Sequence, residues 1–200
     1  MGKIALLAIL YPISVQLGVQ TSNYHFPVLY LLGLILLFTF LKAKNWIVKG
    51  FLTAVFISIA LLVITFDKEY TLIQSIPILV LLTLIYTFSN SLTCKNTPII
   101  TKFANCVDEK PLNVDKKKYT RIVTIVWLMG FIYMLIQSIM AAIWFSSETW
   151  VWIVNIGSYG VITLIMLAEF LYRNIKFKAD KISFKVFILR LSHCRLSDNK

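Results

Sequence analysis

Six long apolar runs divide this chain, at about 4–20, 26–41, 50–66, 71–92, 122–145 and 150–172. A helix needs roughly 20 mainly apolar residues to cross a bilayer's hydrocarbon core. Strands are excluded there, because an open edge leaves peptide groups unpaired in lipid and barrel strands alternate apolar with polar residues. The runs therefore predict an all-α fold: a polytopic membrane helical bundle of about six transmembrane helices. Composition agrees, with 58% hydrophobic and 14% charged residues, against about 45–50% and about 25% in soluble chains. A free cytosolic enzyme, a disordered chain and a secreted disulfide scaffold are excluded on that ground.

Charge sets the orientation. Of the twenty Lys and Arg residues, nineteen fall at the N-terminus, between runs two and three, between runs four and five, and after run six. Lys68 alone falls on the other side. Lys and Arg concentrate in cytoplasmic loops, so both termini are expected in the cytoplasm. The net charge of +11 is then read as loops facing anionic lipid of the inner leaflet, with no nucleic-acid partner. Trp46, Trp144, Trp150, Trp152 and Tyr172 stand near the expected interfaces, as aromatic belts do. Run one follows Lys3 as a signal peptide would, but lacks a small-residue cleavage site and is read as a retained span. Pro12 and Pro77 are expected to kink their helices, and Pro27 to sit in a first turn.

The expected organisation is a six-span membrane domain over 1–173, with a cytoplasmic loop at 93–121, and a basic cytoplasmic tail over 174–200. The tail carries an apolar stretch from Ile182 to Leu191, read as a helix on the inner leaflet or as a frayed end.

Polar residues within spans are costly, which makes them the candidate functional set. Glu169 is the only acid inside a run, one turn from its cytoplasmic end. It is a candidate to carry a proton, bind a cationic head group or ligate a cation. The structural alternative is a pair with Arg173 one turn on. Arg121 opens run five as a candidate phosphate ligand, a plain interfacial anchor, or a partner of Glu169 from the neighbouring helix. Lys116, Lys117, Lys118 and Tyr119 form a candidate lipid- or partner-binding stretch. Asn155, like Gln16, Gln74, Asn90 and Gln137, is a candidate for hydrogen bonds between helices. Ala54-x-x-x-Ser58 and Ser138-x-x-x-Ala142 carry the spacing that lets helices approach closely.

No phosphate-cradling glycine loop, HExxH or Arg ladder is present. His25 and His193 are expected on opposite sides of the bilayer, and Cys94, Cys106 and Cys194 have no metal-ligand spacing. No catalytic, cofactor-binding or metal site is therefore expected, and no cofactor.

Several strings carry a resemblance: residues 97–104 (TPIITKFA), 119–127 (YTRIVTIVW), Asn155 with Ser158-Tyr159, and 169–173 (EFLYR) with Phe177. They resemble a family of uncharacterised bacterial inner-membrane proteins encoded near fatty-acid or aryl-polyene synthesis genes, some mislabelled as gyrase or ketosynthase components. The likeness covers 1–177 in layout and 97–177 in its specific strings. More distantly, Arg121, Trp127 and Thr149-Trp150 resemble the intracellular septation protein A family. The resemblance implies a bacterial inner-membrane protein and marks Arg121, Trp127, Asn155, Glu169 and Arg173 as its recurrent positions.

Three functions are thus expected in order. The first is an accessory or scaffold protein of the inner membrane, linked to envelope lipid, polyene or cell-wall synthesis, with a protein partner or anionic lipid on its cytoplasmic face. The second is a small transporter or lipid carrier using Glu169 and Arg121 in an inward-facing cavity. The third is a membrane enzyme acting on an acyl or lipid substrate.

Overall fold

The computed structural model describes residues 10–42, 45–93, 96–107 and 113–176. Every regular element among the described residues is helical. In chain order these are α1 (Tyr11–Gln20), α2 (His25–Lys42), α3 (Trp46–Thr65), α4 (Glu69–Ser91), α5 (Ile99–Val107), α6 (Val114–Trp144) and α7 (Ser147–Val151). A π-helical segment (Trp152–Gly157) and α8 (Ser158–Lys176) complete the order. Five helical stretches are long and apolar enough to cross a membrane: α2, α3, α4, α6 and the continuous run Ser147–Lys176. The first expected span is described only from residue 10 onward, and the tail from residue 177 lies outside the described residues.

The apolar side chains point outward. In α3 only Ala60 is buried, while Trp46, Phe51 and Leu61 are exposed. A helix of mean hydropathy 2.5 with one buried residue has no use for water on its other faces. Hydrocarbon is the solvent that matches it.

The helix ends follow from local chemistry. Asn45 caps α3, its side chain accepting from Ile47 N at 3.0 Å. Ser146 caps α7 in the same way. Helices α1 and α3 both end in a tight reversal through a left-handed non-glycine residue, Ser22 and Asp67, each at φ 53. Asn23 N donates back to Gly18 O at 2.8 Å and Lys68 N to Val63 O at 3.0 Å, closing orphan carbonyls. Asp tolerates this conformation because its short side chain bonds locally.

Three sequence expectations change. Helix α6 starts at Val114, well ahead of 122, so the expected loop 93–121 holds α5 and the first two turns of α6. Asn113 is the reason: its side chain accepts from Lys116 N at 2.9 Å and its carbonyl from Lys117 N at 3.0 Å, an N-cap. Pro12 lies in the first turn of α1, where its missing N–H costs nothing, and the part of the expected span before residue 10 lies outside the described residues. Trp150 is fully buried, whereas Trp46, Trp144 and Trp152 are exposed as an aromatic belt requires.

The helices pack into two compact units. Unit 1 comprises the residues up to 79 with 137–157, and unit 2 comprises 80–136 with those from 158 on. In unit 1, α1 packs on α2 and α7, and α2 on α3. Its core joins Val15, Val19, Val28, Ile73, Ala141 and Trp150. Gly18 permits the α1–α2 approach, since a Cβ there would stand 2.7 Å from Pro27 Cδ. The buried Ser138 of Ser138-x-x-x-Ala142 belongs to this unit's interior, whereas Ala54 and Ser58 are exposed.

The π segment explains two of the amides. A π turn displaces the regular i+4 bonding and leaves a carbonyl in need of a donor. Gln137 Nε2 supplies one to Ile153 O at 2.9 Å, its amide lying where a Cβ on Gly157 would stand. Asn155 Nδ2 donates to Pro12 O at 3.2 Å. Both are bonds between helices, which apolar surroundings favour.

Candidate functional site

Unit 2 gathers the charged residues that the sequence singles out, Glu169, Arg173, Arg121, Lys116, Lys117 and Lys118, together with Tyr119. Four segments build it: α4 from Val80, α5, α6 up to Ile136, and α8. Ser91 joins the first two, donating to Phe88 O at 2.8 Å and accepting from Ile99 N at 3.3 Å. The Thr101 and Thr120 hydroxyls meet at 2.7 Å, both buried, and lock α5 to α6. Thr120 gives its proton to Lys117 O at 3.1 Å, so Thr101 is the donor of the pair. Tyr119 Oη donates to Glu169 O at 3.3 Å and ties α6 to α8.

Helix α5 is amphipathic: Ile100, Phe103 and Ala104 fall on one side, and that side forms a wall. Against it stand Leu84 and Phe88 of α4, Trp127 and Phe131 of α6, and Met166 of α8. They enclose a cavity of about 320 Å³ whose only charged lining groups, among the described residues, are Glu169 and Arg173. Phe131 organises the aromatic part, edge-on to Phe88 at 4.9 Å between centroids and tilted to Trp127 at 5.7 Å. Such a volume lies within the roughly 300–1,000 Å³ of small-molecule pockets, and the apolar lining with few polar groups is their usual chemistry.

Glu169 and Arg173 are thus brought together, one turn apart on α8 and lining one cavity. Tyr119 joins them through its hydroxyl. Arg121 does not: its Nη2 donates to Leu92 O at 3.2 Å, satisfying a carbonyl just past the end of α4. No ion pair between Arg121 and Glu169 forms among the described residues. Lys117 and Lys118 are exposed on the first turns of α6, with Lys116 half-buried beside them. Asn155 belongs to unit 1, where its amide is used by Pro12.

Sequence reasoning missed a second polar centre. Glu69, expected in a loop, is the first residue of α4 and is buried, with Oε1 2.8 Å from His25 Nδ1 in unit 1. The available signal was its position: an acid just before an apolar run is where a helix N-terminus favours one. Sequence reasoning also passed over Lys176, whose ammonium rests over two tyrosine rings of unit 2.

Comparison with family models, with curated proteins and with solved structures finds no match to this chain.

Proposed function

We propose that this multi-pass membrane protein takes the apolar chain of an amphiphile into the unit 2 cavity, with the molecule's polar end at Glu169 and Arg173. The observation that carries this is the lining: eight apolar side chains and one adjacent acid–guanidinium pair. Apolar walls gain by covering hydrocarbon, at about 25 cal/mol per Å² removed from water. A carboxylate accepts and a guanidinium donates, so the pair suits a terminal group that does both, such as a carboxyl or hydroxyl. Of the sequence expectations, the lipid-carrier reading fits best, with one exchange: Arg173 takes the place given to Arg121, whose guanidinium is used by Leu92. An accessory role beside acyl-chain, polyene or envelope synthesis in a bacterial inner membrane is the setting that this chemistry fits. In that setting Lys117 and Lys118 face the cytoplasm, where anionic head groups or a protein partner lie.

The test is photolabelling of the reconstituted protein with a diazirine-bearing palmitic acid, followed by peptide mapping. Label is expected on the peptides holding Phe103, Trp127 and Met166. Met166→Trp, which fills the cavity, is expected to remove it, and Glu169→Gln to change the preference between palmitic acid and its alcohol. Labelling spread evenly over all helices, or unchanged in Met166→Trp, contradicts the proposal.

A further inference from the structure

A second groove of unit 2 runs between α6 and α8, about 530 Å³ in volume, along Val123, Val126, Leu164 and Ile165. Its mouth is formed by Tyr119, Tyr172 and Lys176. The two tyrosine rings are stacked, 5.6 Å apart and 20° from parallel. The Lys176 ammonium lies 5.7 Å from one centroid and 5.5 Å from the other. A lysine at an exposed helix end ordinarily keeps its rotamer freedom. Here two aromatic faces hold the charge in place by cation–π attraction, which uses none of its three N–H donors on an oxygen. Among the described residues Glu169 is the one acid bordering the groove, and it stands about 10 Å from Lys176 along α8, two turns deeper. Among the described residues, the ammonium at the mouth is therefore a cation seated on two rings with hydrogen bonds to give.

Below that cation the walls are apolar, and Val126 and Leu164 are exposed. A small water-soluble phosphate gains nothing from such walls, whereas a lipid chain does. A second copy of the protein docking groove to groove would set two Lys176 ammonium groups against each other, an unfavourable contact of like charges. We infer that the groove between α6 and α8 binds one anionic phospholipid, its phosphate on Lys176 and an acyl chain along Val126 and Leu164. This site shares Glu169 with the Glu169–Arg173 cavity but none of that cavity's apolar lining.

The test is native mass spectrometry of the full chain in mild detergent with equimolar phosphatidylglycerol and phosphatidylcholine of matched chains. One phosphatidylglycerol is expected to be retained in preference. Lys176→Gln, at an exposed position, is expected to lower that preference by about fivefold, the effect of one cation near an anionic lipid. Lys176→Arg is expected to keep it, as is Met166→Trp, which alters only the other cavity. Unchanged preference in Lys176→Gln overturns the inference. So do competition by glycerol phosphate, which would mark a free-phosphate site, and a lipid-free dimer.

Discussion

The Glu69 carboxyl is buried at the first residue of α4, and its Oε1 lies 2.8 Å from Nδ1 of His25 at the first residue of α2. The imidazole is more than half exposed, at 57%, and the carboxyl is 6% exposed. The contact is one of proximity: among the described residues that oxygen accepts no well-aligned hydrogen bond. Tyr70 extends the cluster, with Tyr24 at 5.4 Å and Trp150 edge-on at 6.0 Å. A polar group kept out of water in this way depends on the few polar neighbours it has.

His25→Ala is therefore expected to lower stability by about 1–3 kcal/mol, the cost of taking from a buried carboxyl its nearest polar neighbour. The double variant His25→Leu with Glu69→Leu is expected to recover most of the loss, since removing both partners costs little. Thermal unfolding in detergent, followed by circular dichroism, measures both. Additive losses in the double variant would show that the pair does not couple.

Gly18 and Gly33 offer a matched comparison. Both are helical glycines, yet a Cβ at Gly18 meets the rigid Pro27 ring at 2.7 Å, while at Gly33 nothing lies within 4 Å. Gly18→Ala is expected to cost about 1–3 kcal/mol through overpacking. Gly33→Ala is expected to gain roughly 0.5–1 kcal/mol by restricting the unfolded chain. The two melting temperatures should move in opposite directions.

Gln137→Leu removes the only side-chain donor to Ile153 O among the described residues of the π segment's surroundings. A loss of roughly 0.6 kcal/mol, and no more than about 1.7 kcal/mol, is expected, the mean and upper value for hydrogen bonds between membrane helices. Hydrogen exchange should rise locally over Trp152–Gly157. Unaltered exchange there would detach Gln137 from the π turn.

The helices were legible because their signal is long and continuous. The run at 26–41 became His25–Lys42, and the run at 71–92 became Glu69–Ser91. The start of α6 was misplaced because Lys116, Lys117 and Lys118 read as loop charges, although lysine is a good helix former and Asn113 with Asp115 marks a helix start. The proximity of Glu169 and Arg173 was legible from spacing alone. The acceptor of Arg121 was not, because it is a backbone carbonyl, and carbonyls leave no trace in the side-chain pattern. Glu69 was overlooked for a related reason: its polar neighbour, His25, comes from another helix.

The claim on which the rest depends is that these helices cross a bilayer with the lysine-rich ends on one side. Single cysteines at Thr21, Lys68 and Lys117, all exposed, placed in a chain with Cys94, Cys106 and Cys194 changed to Ser, test it with a membrane-impermeant maleimide. In sealed vesicles of known orientation, Thr21→Cys and Lys68→Cys are expected to react from one side and Lys117→Cys from the other. Labelling of all three from the same side, or recovery of the protein in the soluble fraction without detergent, contradicts the account.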